Sequence, residues 1–99
     1  MAHWNVKKVQ NFSSMFINCR SLQNLDLSTW ETLAATNFSS MFNSCQSLKT
    51  ITGLENFSTG LVTNMTSMFA ECRSLDNLND ITGWNTIKVT TMNSLFSNC

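Results

Sequence analysis

Four cysteines, Cys19, Cys45, Cys72 and Cys99, are the residues of this 99-residue chain best suited to chemistry, whether as metal thiolates, disulfide partners or nucleophiles. Their spacing argues against most of those roles. Neighbours stand 26, 27 and 27 residues apart, whereas a zinc site draws its thiolates from close pairs such as C-x2-C, so that four ligands can converge. The sole histidine is His3, close to the first residue, which leaves no Cys-His or Ser-His-Asp arrangement to activate a nucleophile. The carboxylates Asp26, Glu31, Glu55, Glu71, Asp76 and Asp80 fall at different phases of the cysteine period. They form neither a recurring acidic row for calcium nor a catalytic pair. Gly53, Gly60 and Gly83 lie too far apart to cradle a phosphate. The chain therefore reads as noncatalytic, with no metal and no cofactor.

The cysteines belong to a larger pattern. The order Met-Phe-x-x-Cys-x-Ser-Leu occurs from Met15, from Met41 and from Met68, and a shortened copy, Leu95-Phe96-Ser97-Asn98-Cys99, follows. Trp4, Trp30, Phe57 and Trp84 repeat with the same three spacings as the cysteines. Two residue types sharing one period mark an internal repeat. Within each copy, Phe12, Met15, Phe16, Cys19 and Leu22, and their counterparts from Phe38 and from Met65, recur at helical spacing and form one apolar stripe. Ser13, Ser39, Thr66 and Asn93 stand ahead of the stripes as N-cap residues, so the pattern predicts a two-turn helix in each copy. Cysteine on that stripe is expected to act as a small buried hydrophobe. A disulfide between adjacent copies, which needs Cα atoms about 4.4–6.8 Å apart, is the alternative at Cys99.

Extended stretches are expected after the stripes, at residues 22–27, 48–54 and 75–81, the last two with one extra residue turned at Gly53 and its counterpart. A weaker one carries Val9, Ala35, Val62 and Val89. Stacking equivalent strands gives an α/β, leucine-rich-repeat-like solenoid of 26–27-residue units, short helix plus parallel strand ladders, about three and a half units long. Residues 1–99 form a single repeat-array domain in this reading, and the chain is expected to be a piece of a longer array. An array ending in an open unit is expected to associate end to end.

The Met-Phe-x-x-Cys-x-Ser-Leu segment, the Leu-x-x-Leu-x-Leu that follows, the Trp-x-Thr step and the Val-Thr-x-Met segment resemble the BspA-like leucine-rich-repeat surface proteins of bacteria and mycoplasmas. The likeness runs from Trp4 to Cys99, with Ala35, Phe57 and Leu95 departing from the usual residues. It implies display at the cell surface or outside the cell, adhesion, and binding of host or extracellular-matrix proteins.

Six basic and six acidic residues are scattered without a patch, which argues against nucleic acid as a partner. No apolar run approaches the ~20 residues of a membrane span, so this piece is not expected to insert in a bilayer. Sequons occur at Asn11, Asn37, Asn56 and Asn64, and three of them, Asn11, Asn37 and Asn64, recur at the helix entry, so capping is invoked before glycosylation. Positions that vary between copies are the candidates for binding: Arg20, Gln46 and Arg73 after each cysteine, and Gln23, Lys49 and Asp76 three residues on. The pairs Ile17-Asn18, Asn43-Ser44 and Ala70-Glu71 before each cysteine are expected to point outward as well. The function expected is a noncatalytic protein-interaction module of a cell-surface repeat protein. The alternative is a structural spacer or stalk with no ligand of its own, which the predominance of Ser, Thr and Asn between the fixed positions favours.

Overall fold

Phe12, Phe16 and Cys19 lie on one inward face, as helical spacing demands, but the backbone beneath them is not a helix. The computed structural model describes residues 6–76, 81–97 and 99. Residues 13–18, 39–44, 66–71 and 93–97 run as successive turns. Ser14 and Asn18 have φ of 59° and 62°, Ser40 and Ser44 55° and 63°, Ser67 and Glu71 55° and 62°, and Ser94 58°. A left-handed residue at every fourth position cannot continue a right-handed helix.

The hydrogen bonds explain why the chain accepts those conformations. In the first such segment, Met15, Ile17 and Cys19 donate locally to the carbonyls of Phe12, Ser14 and Phe16 at 3.2–3.3 Å. The alternate N–H groups of Phe12, Ser14, Phe16 and Asn18 point sideways, to the carbonyls of Asn37, Ser39, Met41 and Asn43 at 2.8–2.9 Å. Phe38, Ser40, Phe42 and Ser44 donate likewise to Asn64, Thr66, Met68 and Ala70, and Met65, Ser67, Phe69 and Glu71 to Thr91, Asn93, Leu95 and Ser97. A left-handed Ser or Asn costs about 1–2 kcal/mol. Each sideways bond returns about 1 kcal/mol net and leaves no buried N–H unmatched. A helix would have used the same donors inside one segment and left nothing to join it to the next.

The expected α/β solenoid of about three and a half units, with short helices and strand ladders, is therefore corrected. Among the described residues there is no α-helix, and the strands are β1 (Asn24–Asp26) and β2 (Thr50–Thr52), a parallel pair with Leu25 opposite Ile51. Both are shorter than the extended stretches expected at 22–27 and 48–54. The third, at 75–81, falls mostly outside the described residues. Val9, Ala35, Val62 and Val89 close hydrogen-bonded turns onto Val6, Thr32, Thr59 and Thr86 instead of forming strands. Single parallel bridges join Asn11 to Asn37, Asn37 to Asn64 and Asn64 to Thr91. A one-turn 3-10 helix, Leu54–Asn56, follows Gly53, whose φ of 101° provides the turn expected there.

The core is a column of rings. Phe16, Phe42, Phe69 and Phe96 stack in series with centroids 5.7, 5.5 and 5.8 Å apart and planes within 12° of parallel. Trp30 lies against Phe12 and Phe16, and Trp84 against Phe57 and Phe69. Met41, Met68 and Leu48 are fully buried beside them. Among the described residues two hydroxyl side chains are buried, and both are matched: Thr32 Oγ1 accepts from the Ser58 N–H and donates to the Ser58 carbonyl, while Thr59 Oγ1 accepts from the Asn85 N–H.

Candidate interaction face

Gln23, Lys49 and Asp76 are brought together by the backbone that carries them. The Lys49 N–H donates to the Gln23 carbonyl at 2.8 Å, and the Asp76 N–H to the Lys49 carbonyl at 3.2 Å. Their side chains emerge as one exposed row at the entry to β1 and β2. Beside the row lies a cleft of about 260 Å³ whose walls include Lys49, Thr50, Thr52, Gly53, Glu55 and Asp76. Thr50 Oγ1 donates to Asn24 Oδ1 at 2.6 Å, and the Ser28 N–H to Asp26 Oδ1 at 2.9 Å. The hydrogen bonds from Ser28 hold the Asp26 carboxyl below the usual carboxylate range. The face thus presents ammonium, carboxylate and hydroxyl groups within one small area.

The row of Arg20, Gln46 and Arg73 is less coherent. Arg20 and Arg73 are exposed and Gln46 is half-buried, its carbonyl accepting from Ser74 Oγ at 2.7 Å. Arg73 is already engaged, since its guanidinium donates to Glu71 Oε2 at 2.7 and 3.1 Å. Of the pairs before each cysteine, Ile17 and Asn18 are exposed, Asn43 and Ser44 are half-buried, and Ala70 is buried at 6% exposure. Glu55, Thr50 and Thr52 were missed by repeat alignment. For Glu55 the signal was the inserted residue that lengthens 26 to 27, since Glu55 follows the turn at Gly53 and lines the cleft with Lys49 and Asp76, whereas Thr50 and Thr52 stand in plain 26-residue register with Asn24 and Asp26.

A second, apolar feature was also missed. Leu33, Leu61 and Ile87 are 63%, 46% and 82% exposed, all in the turns between the aromatic residue and the following Val or Ala. A shallow depression of about 470 Å³ lies between Leu33, Phe57, Gly60 and Leu61.

The cysteines form a row with one repeated contact. Cys45 Sγ donates to the Phe16 carbonyl at 3.1 Å, Cys72 Sγ to Phe42 at 3.0 Å, and Cys99 Sγ to Phe69 at 2.9 Å. All four are free thiols, with Cys45 and Cys72 buried, Cys19 half-buried and Cys99 exposed. Burial pushes the Cys45 thiol up to about 11 and the Cys72 thiol to about 12, and raises Cys99 as well. Among the described residues no cluster of three or more His, Cys, Asp or Glu is placed to hold a metal ion.

A pH dependence follows. The unfolded chain ionises its thiols near about 8.5, whereas the native chain keeps Cys45 and Cys72 protonated to about 11 and 12, so above pH 8.5 the unfolded state binds fewer protons. Stability is expected to be full below that pH and to fall as pH rises through 11 and 12, by up to about 1.4 kcal/mol per thiol per pH unit. Urea midpoints measured at several pH values from 8 to 11 test the slope. At pH 8 both thiols should be alkylated at least about 100-fold more slowly than in unfolded chain. Labelling of Cys45 as fast as in unfolded chain would show that the row is open to solvent.

No curated protein and no solved structure matches the chain. A family model described as Mycoplasma protein of unknown function, DUF285, matches residues 26–99, a stretch that holds three of the four cysteines, β2 and the cleft. The chain belongs to the DUF285 family.

Proposed function

We propose that the chain is a noncatalytic protein-interaction module of a surface-displayed protein, binding host or extracellular-matrix proteins. The observation that carries this reading is the Gln23-Lys49-Asp76 row beside the cleft. Its backbone positions are fixed by hydrogen bonds at 2.8 and 3.2 Å, while the side chains they hold differ at every step. Rigid placement of unlike side chains suits recognition of another protein by several weak polar contacts. The resemblance of the repeated motif to BspA-like surface proteins supports the cell-surface location and the adhesive role.

Binding of the chain to a panel of purified extracellular-matrix proteins, followed by surface plasmon resonance, tests the proposal. At least one partner should bind, more weakly as salt rises, and the double variant Lys49→Ala, Asp76→Ala should weaken it by at least about 10-fold, the size expected of an exchange of two polar contacts. Absence of binding to every protein, or binding indifferent to that variant, overturns it. A spacer without a ligand is favoured by the predominance of Ser, Thr and Asn between the fixed positions and by the tie of Arg73 to its own neighbour Glu71.

A further inference from the structure

The four turns closed by the Val9, Ala35, Val62 and Val89 N–H groups, at 2.9–3.1 Å, each carry two residues at the tip. In chain order the pairs are Lys7-Lys8, Leu33-Ala34, Gly60-Leu61 and Ile87-Lys88. These tips are stacked in register. Thr32 Oγ1 and Thr59 Oγ1 accept from the Ser58 and Asn85 N–H groups of the next turn at 2.9 Å, and just beyond the tips the Thr36, Thr63 and Thr90 N–H groups donate to the Gln10, Thr36 and Thr63 carbonyls. One edge of the molecule therefore shows lysines at both ends and aliphatic side chains between them, a row about 14 Å long at the spacing of neighbouring extended chains.

The aliphatic part is exposed for a reason other than lack of neighbours. Leu33 and Leu61 are 63% and 46% exposed although each has a stacked turn on both sides, and Ile87 is 82% exposed. The tips project as a ridge, and the depression between Leu33, Gly60 and Leu61 is shallow. A contiguous apolar row of this kind marks a contact surface.

Charge decides what it contacts. Residues 6–9, 32–35, 59–62 and 86–89 contain three of the six lysines and arginines of the chain and no carboxylate. Glu31, beside the second turn, is engaged by Lys7 at 3.5 Å. A second copy seated on this edge would set lysine against lysine in either direction, because both ends of the row are basic. An anionic bilayer suits both parts of the row: projecting aliphatic side chains enter the headgroup layer while lysine ammonium groups remain at the lipid phosphates. The chain has no net charge, so attraction to such a surface must come from this local arrangement. No helix among the described residues is long and apolar enough to cross a membrane, so the contact is with the bilayer surface.

We propose that the turn edge docks on the surface of an anionic phospholipid bilayer, with Leu33, Leu61 and Ile87 in the headgroup layer and the exposed Lys8 and Lys88 against lipid phosphates. This inference is independent of the interaction-module reading, since the edge shares no residue with the Gln23-Lys49-Asp76 row.

Flotation with phosphatidylcholine vesicles, with and without one third phosphatidylglycerol, tests it. The wild-type chain should bind the anionic vesicles at least about 10-fold more tightly than the neutral ones, and the preference should fade as salt rises. Leu33→Ser with Leu61→Ser should weaken binding at least about 10-fold, and Lys8→Gln with Lys88→Gln should abolish the preference for anionic lipid. Arg20→Gln with Arg73→Gln removes the same formal charge elsewhere and should stay within about 2-fold of wild type. Far-ultraviolet circular dichroism and a cooperative melt verify that each variant folds, and Ile87→Ser replaces the leucine pair if that pair does not. No binding, equal binding to both kinds of vesicle, binding indifferent to the leucine pair, or equal losses from the lysine and arginine pairs overturns the proposal. A chain that ignores vesicles but loses matrix-protein binding with Leu33→Ser and Leu61→Ser also overturns it, giving the row to a protein partner. Self-association in place of vesicle binding, abolished by those substitutions, overturns it in favour of a second copy.

Discussion

Replacing Gly53 with alanine should lower stability by about 3–5 kcal/mol, the largest effect expected of any single methyl group in this chain. Two causes act together. At φ 101° an L residue is strained by itself, which accounts for about 1–2 kcal/mol. The added Cβ would also stand 2.6 Å from Ser28 N and Cα and 2.7 Å from the Leu27 carbonyl carbon, all backbone atoms that cannot swing aside. Relief requires separating the segment after β2 from the segment after β1, which breaks the 2.8 Å bond from the Leu27 N–H to the Thr52 carbonyl and disturbs the strand register. The same change at the other glycines gives the control. At Gly60 a Cβ meets only Asn85 Nδ2 at 3.9 Å, and at Gly83 it meets nothing within 4 Å. Both should stay within about 0.5 kcal/mol of wild type. Urea midpoints for the three variants decide the matter, and a Gly53→Ala midpoint close to that of Gly60→Ala would mean that β2 and its turn yield more readily than their geometry implies.

Phe42→Ala should cost about 3–5 kcal/mol. Its ring is fully buried and stacked on both faces, against Phe16 at 5.7 Å and Phe69 at 5.5 Å, so removal opens a cavity inside the column and breaks two ring contacts. Those contacts contribute about 0.5–1.5 kcal/mol each beyond area burial. Phe96 tests the explanation, because it has the same ring, the same phase and one stacking partner, but is 45% exposed. Phe96→Ala should cost less than half as much. For a chain of this size each kcal/mol lowers the melting temperature by about 4–8 °C. Phe42→Ala is thus expected to melt at least 12 °C below wild type, with Phe96→Ala between them. Equal shifts would show that the column shares strain along its length and that depth does not set the cost.

The buried face was legible in the sequence and the backbone beneath it was not. Phe12, Phe16, Phe38, Met41, Phe42, Cys45, Met65, Met68, Phe69 and Cys72 were identified from apolar spacing, and all are buried. Spacing of three and four residues, however, reports only which side chains share a face. A turn closed every second residue with a left-handed Ser or Asn brings the same side chains inward, and a hydrophobic pattern cannot distinguish it from a helix. The decisive term was nonlocal: alternate N–H groups find better-placed acceptors in the next copy than four residues back. The serines at 14, 40, 67 and 94 were the visible trace of this, and they passed as first-turn residues after an N-cap. Gly53 was legible because an inserted residue needs a turn and glycine allows it. Of the candidate binding residues, Gln23, Lys49 and Asp76 proved adjacent, since each sits where the backbones of two copies meet. Glu55 was hidden because the insertion places it out of phase with every residue to which alignment compared it.

The sideways bonds also set the terms on which the chain folds. The backbone bonds that join one copy to the next span 25 to 28 residues, and none among the described residues skips a copy. Each docking step therefore closes a loop of nearly the same length, at an entropic cost of about 3 kcal/mol from the logarithm of loop size plus a constant. No step needs the chain's two ends to meet first. Assembly can start at whichever neighbouring pair collides first and extend in both directions, and an outer copy can detach while the interior stays closed. Hydrogen exchange should accordingly be slowest at Phe42 and Phe69 and faster toward Val9 and Val89, a gradient that a globule tied together by long-range contacts would lack.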